Sequence, residues 1–429
     1  MSIFLPADIL LPDPAQTPSF EKWAAIACDQ FTSEPEYWVK VREIAGEAYS
    51  TSRMILPEAE LSIRDESYIE QIHKNMSAYK QAGIYQSFPD SFTYAERVQH
   101  DGTIRKGVIG CIDLDAYDYS PVSSSLIRST EKTVIERIPP RVAVRKGAPT
   151  ELSHVILYAD DEKDALIGPL TRAAADGALP LLYDFDLMMQ GGHIRGYLVS
   201  GQDRDAFMER LQTYYHEQDD KAAAMDTSSV YFTVADGNHS LASAKECWRR
   251  AKEESLKQSQ PVNPRLRYAL VELENLHDDA QTFLPIHRLM KGVDPDAFLA
   301  CTREELEGQQ ENGTAGYGTF LSIPYYTAGQ SGQLKLSTAD AGEAIVRIQA
   351  FIDRYLEQHK GEVDYIHGDA ALLKLAEAKD TVGLLLPAIT KDGFFGNIMK
   401  SGVYPRKTFS VGEAQDKRYY LEVRDLYEG

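Results

Sequence analysis

Cysteine is scarce in this chain of 429 residues: there are four, and no two of them form a CxxC pair. A disulfide framework and a structural zinc site at the usual ligand spacing are therefore excluded. Long apolar runs are also missing, since no stretch reaches the length of a membrane-spanning helix. The first residues, MSIFLPADILLPDP, lack the basic start and continuous apolar core of a signal peptide. Together these absences predict a cytoplasmic protein with reduced thiols.

Several catalytic motifs are absent as well. The chain has no HExxH, no Walker loop, no GxSxG and no GxGxxG after a predicted strand. Hydrolases and dehydrogenases built on these motifs therefore have no support. The stretch ENGTAGYG lacks the GK-[ST] ending of a phosphate loop and runs into the strand-like FLSIPYY, which predicts a flexible connection.

Basic residues are too few to balance the acidic ones: 45 Lys and Arg stand against 65 Asp and Glu, for a formal net charge of −20. The field of such a chain repels polyanions, which argues against nucleic acids and anionic membranes as partners. Local N–H groups and a few cations still permit a small anionic ligand. The expected partner is therefore a small molecule, and a homo-oligomer is compatible with this composition.

Strand-like and helix-like patterns alternate along the chain. The apolar spacing in Ser67–Gln81 predicts a helix. SFTYAERVQ and TIRKGVIGCIDL, on either side of a DG pair, predict a hairpin. The expected fold class is α/β of the mixed α+β kind, with helices packed on a mixed sheet. The length allows two or three cores, and the expected regions are 1–125, 126–292 and 293–429.

The most informative stretch is VYFTVADGNHSLASAKECW, residues 230–248. The β-branched and aromatic run from Val230 to Val234 predicts a buried strand. Leu241, Ala244 and Trp248 then recur at helical spacing and predict a helix. The polar residues between these elements lie where a strand ends and a helix begins.

A helix start carries unpaired N–H groups and a partial positive charge, which together bind a phosphate or a carboxylate. Gly237 lets the backbone approach such an anion closely. Asp236 and His239 supply a metal-ligand or acid–base pair of side chains. The alternative is that Asn238 or another polar residue here caps the helix and that Gly237 serves an ordinary turn.

ADGNHSLASAKE, residues 235–246, resembles the ADGHHRYETA motif of the bacterial family catalogued as domain of unknown function 1015. Other segments resemble that family in the same order: STEKTVIERI (129–138), LPIHRLM (284–290), YIHGDAALLKL (365–375) and GVYPRKTFSV (402–411). Asp29 resembles the end of its PPYD segment, with a turn cap as the alternative role. More distantly, the turn resembles the nucleotide-binding turn of the ParB, sulfiredoxin and free serine kinase proteins. The resemblance implies a ParB/sulfiredoxin-like nucleotide turn at the strand-to-helix junction.

This chain departs from the family motifs at two places. Asn238 and Ser240 stand where the family usually has His and Arg, so a bidentate phosphate donor is lost. Thr130 stands at the His of the HExT segment, which leaves Glu131 as a candidate general base or magnesium ligand. Either a cation from elsewhere in the fold replaces the Arg, or the chemistry has changed.

Candidate replacements for that cation lie in the other matching segments. His287 and Arg288 belong to the IHR segment, and Arg406, Lys407 and Thr408 belong to the PRKT segment. Two cations and a hydroxyl in sequence suit phosphate contact, while the alternative is a solvated basic turn.

These residues and the resemblance lead to one leading hypothesis: a phosphotransferase or nucleotide hydrolase that uses Mg²⁺ with ATP or another nucleotide and acts on a small metabolite. Gly237, Asn238 and Ser240 would cradle phosphates, and Asp236 or Glu131 would hold Mg²⁺ or take a proton. Relatives often neighbour serine-biosynthesis genes, so the resemblance implies serine or phosphoserine as a substrate. The alternative is a non-catalytic regulatory protein that binds a nucleotide or an anion.

Overall fold

The architecture is taken from a computed structural model that describes residues 2–17, 19–61, 63–133, 135, 138–307, 320–338, 340–405 and 407–427. Contacts between residues divide the chain into two compact units. The first comprises Met1–Gln281 and Glu413–Gly429, and the second comprises Thr282–Gly412. The region borders at residues 125 and 292 stay a prediction, whereas the units are divided at residues 281 and 412.

The strands, in chain order, are β1 (Phe4–Leu5), β2 (Ala7–Pro12), β3 (Ala25–Ile26), β4 (Tyr85–Val98), β5 (Ile104–Asp113), β6 (Tyr117–Asp118), β7 (Ile127–Ser129), β8 (Thr150–Leu152), β9 (Ile156–Ala159), β10 (Leu181–Asp186), β11 (His193–Val199), β12 (Phe232–Asp236), β13 (Tyr268–Asn275), β14 (Phe283–Lys291), β15 (Leu321–Tyr326), β16 (Ser331–Leu336), β17 (Glu362–His367), β18 (Thr381–Leu384), β19 (Phe409–Val411), β20 (Tyr419–Tyr420) and β21 (Val423–Asp425).

The α-helices are α1 (Phe20–Trp23), α2 (Pro35–Ala45), α3 (Glu66–Gln81), α4 (Ile138–Arg145), α5 (Gly168–Ala175), α6 (Gly201–Ala224), α7 (Asn238–Gln258), α8 (Pro295–Thr302), α9 (Ala341–Gln358), α10 (Asp369–Ala376) and α11 (Phe394–Ser401). Within the ranges that the structure describes, none of them is long and apolar enough to cross a membrane.

The first unit is built on one large sheet with the order β6-β7-β12-β9-β13-β5-β4-β2-β21-β8. Strand β1 pairs with β5, β11 pairs with β4, and β10 pairs with β11. The pairs β6–β7, β7–β12 and β9–β13 are parallel, and the other pairs of this sheet are antiparallel. The expected mixed sheet with packed helices is thereby confirmed. A separate two-stranded ladder joins β3 to β20.

The core of the first unit lies against this sheet. The Phe4 ring stacks on Phe92 with 5.4 Å between centroids and meets the edge of Phe232 at 6.1 Å. Phe207, from α6, packs edge-on against Phe92 at 5.0 Å. Aromatic pairs of this kind contribute about 0.5–1.5 kcal/mol beyond the area that they bury. Strand β12, which leads to the polar turn, is therefore anchored by the fully buried side chain of Phe232.

The second unit has its own sheet, with the order β16-β15-β18-β14-β17 and with β19 paired to β14. Its core includes Phe298, Phe351 and Tyr355, whose rings contact one another across α8 and α9. Most of the stretch GEAIVRIQAFIDRYLEQHKG forms α9. The predicted connection ENGTAGYG, residues 311–318, lies outside the described residues.

Local predictions from the sequence agree well with the first unit. The helix expected at Ser67–Gln81 is α3, and the hairpin expected around the DG pair is β4–β5. The strand expected at Val230–Val234 is β12, which begins two residues later and ends at Asp236. Asp236 therefore belongs to the strand itself, and the turn is reduced to Gly237.

Candidate functional site

Two of the predicted site segments meet at the carboxyl ends of two neighbouring strands of the large sheet. Strands β7 and β12 run parallel, with Ser129 opposite Val234, so their carboxyl ends lie side by side. The Thr130 hydroxyl confirms the proximity, because it donates to the Val234 carbonyl at 2.7 Å. Glu131 follows Thr130 directly and is half-buried. The sheet thus brings the HExT-like segment to the polar turn, as both proposed roles for Glu131 require.

The turn itself is tight. Gly237 has φ 80° and ψ 24°, in the left-handed region, and occupies the N-cap position of α7. The first helical hydrogen bond follows at once, from Leu241 N–H to the Gly237 carbonyl at 3.0 Å. Asp236 Oδ1 accepts from the Gly237 N–H at 2.9 Å. A glycine is favoured here because other residues adopt this conformation only at a cost.

The capping alternative for Asn238 is wrong. Asn238 is the first residue of α7 rather than its cap, and the N-cap residue, Gly237, has no side chain to cap the helix. The side-chain oxygen of Asn238 is buried and has no hydrogen-bond partner among the residues that the structure describes. The start of α7 therefore keeps the partial positive charge of a helix N-terminus without a capping side chain of its own.

The turn also packs closely on the segment before β9. A Cβ placed on Gly237 would lie 3.0 Å from both Cα and Cγ2 of Val155 and 3.4 Å from His154 Cδ2. Glycine is thus required twice, once for its backbone conformation and once for this close approach. The packing holds the beginning of α7 against the His154 ring.

His154 is a buried side chain that connects three parts of the first unit. Its Nδ1 lies 2.6 Å from the Tyr420 hydroxyl. Its Nε2 lies 3.3 Å from Ser240 Oγ and 3.6 Å from Asp29 Oδ2. Burial acts to raise the pKa of the Asp29 carboxyl, but electrostatic interaction with His154, together with Gln30 and Arg141, outweighs burial and lowers that pKa far below its usual range. The arrangement gives a histidine, a hydroxyl and a carboxylate within reach of the helix start.

A lysine from the C-terminal segment completes the cluster. Lys417 Nζ lies 3.3 Å from Asp236 Oδ2, and both side chains are largely buried. The buried guanidinium of Arg97 positions this segment by donating to the carbonyls of Gln415 at 2.7 Å and Asp416 at 2.9 Å. Lys417 therefore places a cation beside the turn. The family motif has an Arg within the turn itself, at the position that Ser240 occupies in this chain.

The same segment is tied down by a buried ion network. Arg418 pairs with Glu272 of β13 and with Glu422, the latter at 2.7 Å. Its Nε donates to the Ser153 carbonyl at 3.0 Å. Since Ser153 precedes His154, this one arginine holds both the lysine segment and the histidine segment in place.

A single family model covers all of the family-like segments except GVYPRKTFSV, residues 402–411. The model described as "Protein of unknown function (DUF1015)" matches residues 10–381. This chain belongs to the DUF1015 family. The resemblance inferred from the ADGNHS turn and its companion segments is thereby confirmed. No curated protein matches the chain.

Solved structures similar to this DUF1015 protein share little sequence with it. A free serine kinase mutant in complex with AMP is 12% identical, with a TM-score of 0.35 and coverage of 74% of this chain and 90% of that chain. A conserved hypothetical protein from Pyrococcus furiosus is 11% identical, with a TM-score of 0.31 and coverage of 72% and 90%. SbnI with a C-terminal truncation, from Staphylococcus aureus, is 10% identical, with a TM-score of 0.35 and coverage of 71% and 82%.

The other cations predicted for the site belong to the second unit of the DUF1015 chain. Arg288 is fully buried, with Nε bonded to Gln349 Oε1 at 2.7 Å and Nη1 bonded to the Ile286 carbonyl at 2.7 Å. His287 Nε2 lies 2.9 Å from Asp369. Burial lowers the pKa of His287, although Asp369 acts to raise it. Both side chains thus have structural partners within this unit, and their phosphate role stays a prediction.

The basic PRKT segment also belongs to the second unit. Lys407 is exposed with φ 60°, and the buried Thr408 hydroxyl donates to the Pro405 carbonyl at 2.6 Å. Arg406 lies outside the described residues. The contact of Thr408 is that of a turn, so phosphate binding by this segment is likewise untested.

His239 stands in the first turn of α7 and is half-buried. His154, Lys417 and Tyr420 were not predicted as site residues, whereas Asp29 was recognised as a candidate. SHVILYADD indicates a strand that ends in two carboxylates, with no signal at His154 itself, and EAQDKRYY is an ordinary polar segment. Identifying His154, Lys417 and Tyr420 as site residues would have required knowing which distant segments pair in the fold. A single sequence does not contain that information.

A second group of ligand-type side chains lies elsewhere in the first unit. Atoms of Asp160, Glu162 and His277 lie within 4.8 Å of one another, an arrangement that suits a metal ion. Lys221 Nζ, however, lies 2.8 Å from Asp160 and 3.6 Å from Glu162. Since an ammonium already compensates these carboxylates, the group is explained as an ion-pair cluster.

Proposed function

We propose that this protein is a nucleotide- and magnesium-dependent phosphotransferase, or a nucleotide hydrolase, that acts on a small metabolite in the cytoplasm. The observation that carries the proposal is the start of α7, whose N-cap is Gly237 and therefore offers no capping side chain, and which lies beside Lys417. Backbone N–H groups and a nearby cation are the elements that hold a transferring phosphate. The family resemblance adds serine or phosphoserine as the substrate to test first.

Two carboxylates at this end of the sheet would supply the ligands of the magnesium ion. Asp236 ends β12, and Glu131 follows the parallel neighbour β7 by two residues. The buried Asp236 Oδ2 has no hydrogen bond within the described residues, although it faces Lys417. Carboxylate oxygens are the ligands that Mg²⁺ prefers. A bound Mg²⁺ would neutralise charge on the phosphate oxygens. Asp236 and Glu131 would hold the ion.

The remaining side chains divide the other tasks. The backbone from Gly237 to Ser240, with Asn238 in its first turn, would bind phosphate oxygens, and Lys417 would balance their charge. His154, which contacts Ser240, and His239, in the first turn of α7, would accept or return the proton of the acceptor hydroxyl. Phosphotransfer depends mainly on such positioning and electrostatics.

We expect Glu131→Gln to lower nucleoside diphosphate release by about 10²–10⁴-fold, because the amide keeps the shape but loses the charge needed to hold Mg²⁺ or accept a proton. Release would be measured with Mg²⁺ and ATP, with and without serine. The matched control is Glu209→Gln on the exposed face of α6, which should match the parent.

The alternative, a non-catalytic nucleotide-binding regulator, is favoured by Ser240 in place of the family Arg. It predicts that ATP raises the melting temperature of the parent while no diphosphate is released with any acceptor. Equal release by Glu131→Gln and the parent would remove Glu131 from the mechanism.

A further inference from the structure

A cavity of about 120 Å³ lies in the first unit and is lined in part by Ser240 and Leu241, near the start of α7. Most of its wall is apolar and comes from helices and strands that surround it. The side chains that matter here are Met54, Met76, Val144, Leu241, Ala244 and Ala269. Ser240 and His154 also line it, so the cavity reaches the cluster beside the turn.

The charged groups on the cavity wall are already compensated. Arg141 pairs with Glu58, and Arg145 pairs with Glu151. A zwitterionic amino acid would need one free cation and one free anion, so the cavity favours a ligand group without net charge. Its size corresponds to about eight to twelve water positions, at roughly 10–15 Å³ each. That is the size of a heteroaromatic ring system rather than of a single water or ion.

One hydroxyl group on the wall has no hydrogen-bond partner among the described residues. Thr150 is fully buried, and its hydroxyl makes no hydrogen bond within the residues that the structure covers. A buried hydroxyl without a partner is costly and is uncommon in native proteins. A ring nitrogen or exocyclic group of a ligand in the cavity would satisfy it.

We propose that this cavity binds the base of the nucleotide whose phosphates lie at the start of α7. The inference rests on the proposed function and adds the position of the base. Apolar side chains of the wall would cover the two faces of the base, and the Thr150 hydroxyl would form a hydrogen bond with one edge of it. The sugar and phosphates would extend out of the cavity past Ser240. The acceptor substrate then binds outside this cavity.

The test compares ATP with tripolyphosphate, which carries the phosphates without the base, each with Mg²⁺ and measured by calorimetry on the full chain. Ala244→Leu fills the cavity from α7, and Thr150→Val removes the hydroxyl while keeping the shape. We expect Ala244→Leu to weaken ATP binding by about tenfold or more and Thr150→Val by several-fold. Tripolyphosphate binding should stay at the parent value in both variants.

Ala223→Leu, the same change on the exposed face of α6, is the matched control and should bind both probes like the parent. If Ala244→Leu does not fold, Thr150→Val decides alone. ATP binding at the parent value in the folded variants would overturn the base site while leaving a phosphate site that binds tripolyphosphate. Failure of both probes to bind the parent would overturn the proposed function as well.

Discussion

Gly237→Val is expected to abolish the rise in melting temperature that ATP and Mg²⁺ cause in the parent protein. The parent should gain about 2.7 kcal/mol when ATP is present at about 100 times its dissociation constant. Valine at φ 80° is strained, and its Cβ would meet Val155 at 3.0 Å. The start of α7 must then move away from His154, so the N–H groups no longer converge on a phosphate.

The matched control is Gly177→Val. Gly177 also has a positive φ, 69°, but an added Cβ there meets no atom within 4 Å. Both variants should lose about 1–3 kcal/mol from backbone strain, and only Gly237→Val should lose the response to ATP. A full magnesium-dependent response in Gly237→Val would show that the nucleotide binds elsewhere.

Arg418→Met is expected to lower the free energy of unfolding by about 3–5 kcal/mol, because it leaves Glu272 and Glu422 buried without their cation. That is a large part of the roughly 5–15 kcal/mol that stabilises a typical domain. Urea unfolding of the full chain measures the change.

Arg249→Met serves as the control for this loss. Arg249 is half-exposed on α7 and pairs with Glu246 and Glu253, so its removal should cost only about 0–1 kcal/mol. If Arg418→Met were as mild as Arg249→Met, the buried network would not be what holds the Ser153 and Lys417 segments in place.

Short-range patterns in the sequence were sufficient to predict several of the individual helices and strands. The run before the turn and the apolar spacing after it both depend on local side-chain patterns, and they predicted β12 and α7 to within two residues. The DG pair predicted the β4–β5 hairpin because turn chemistry fixes such a connection locally. The likeness of STEKTVIERI to a family segment led to Glu131, which the parallel pairing of β7 and β12 then placed at the turn.

The parts of the site that were missed depend on distant pairing. His154 meets Ser240 across 86 positions of the chain and meets Tyr420 across 266. Strand order decides such contacts, and composition does not reveal strand order. Burial is equally hidden: Arg288 has the charge expected of a phosphate ligand, yet Gln349 and the Ile286 carbonyl occupy its guanidinium.

The capping interpretation failed for a more local reason. Asn is a common N-cap residue, but the left-handed conformation of Gly237 starts the helix one residue earlier and moves Asn238 into the first turn. The sequence DGN permits either arrangement. Packing of the turn on Val155 selects the observed one.

The most direct measurement is a crystal structure of the full chain with Mg²⁺ and a non-hydrolysable ATP analogue. We expect phosphate oxygens at about 2.7–3.2 Å from the backbone nitrogens of Asn238, His239 or Ser240, with Mg²⁺ bound by Asp236 or Glu131. An analogue bound at another place, with the start of α7 still free of phosphate, would contradict the proposal that this turn is the nucleotide site.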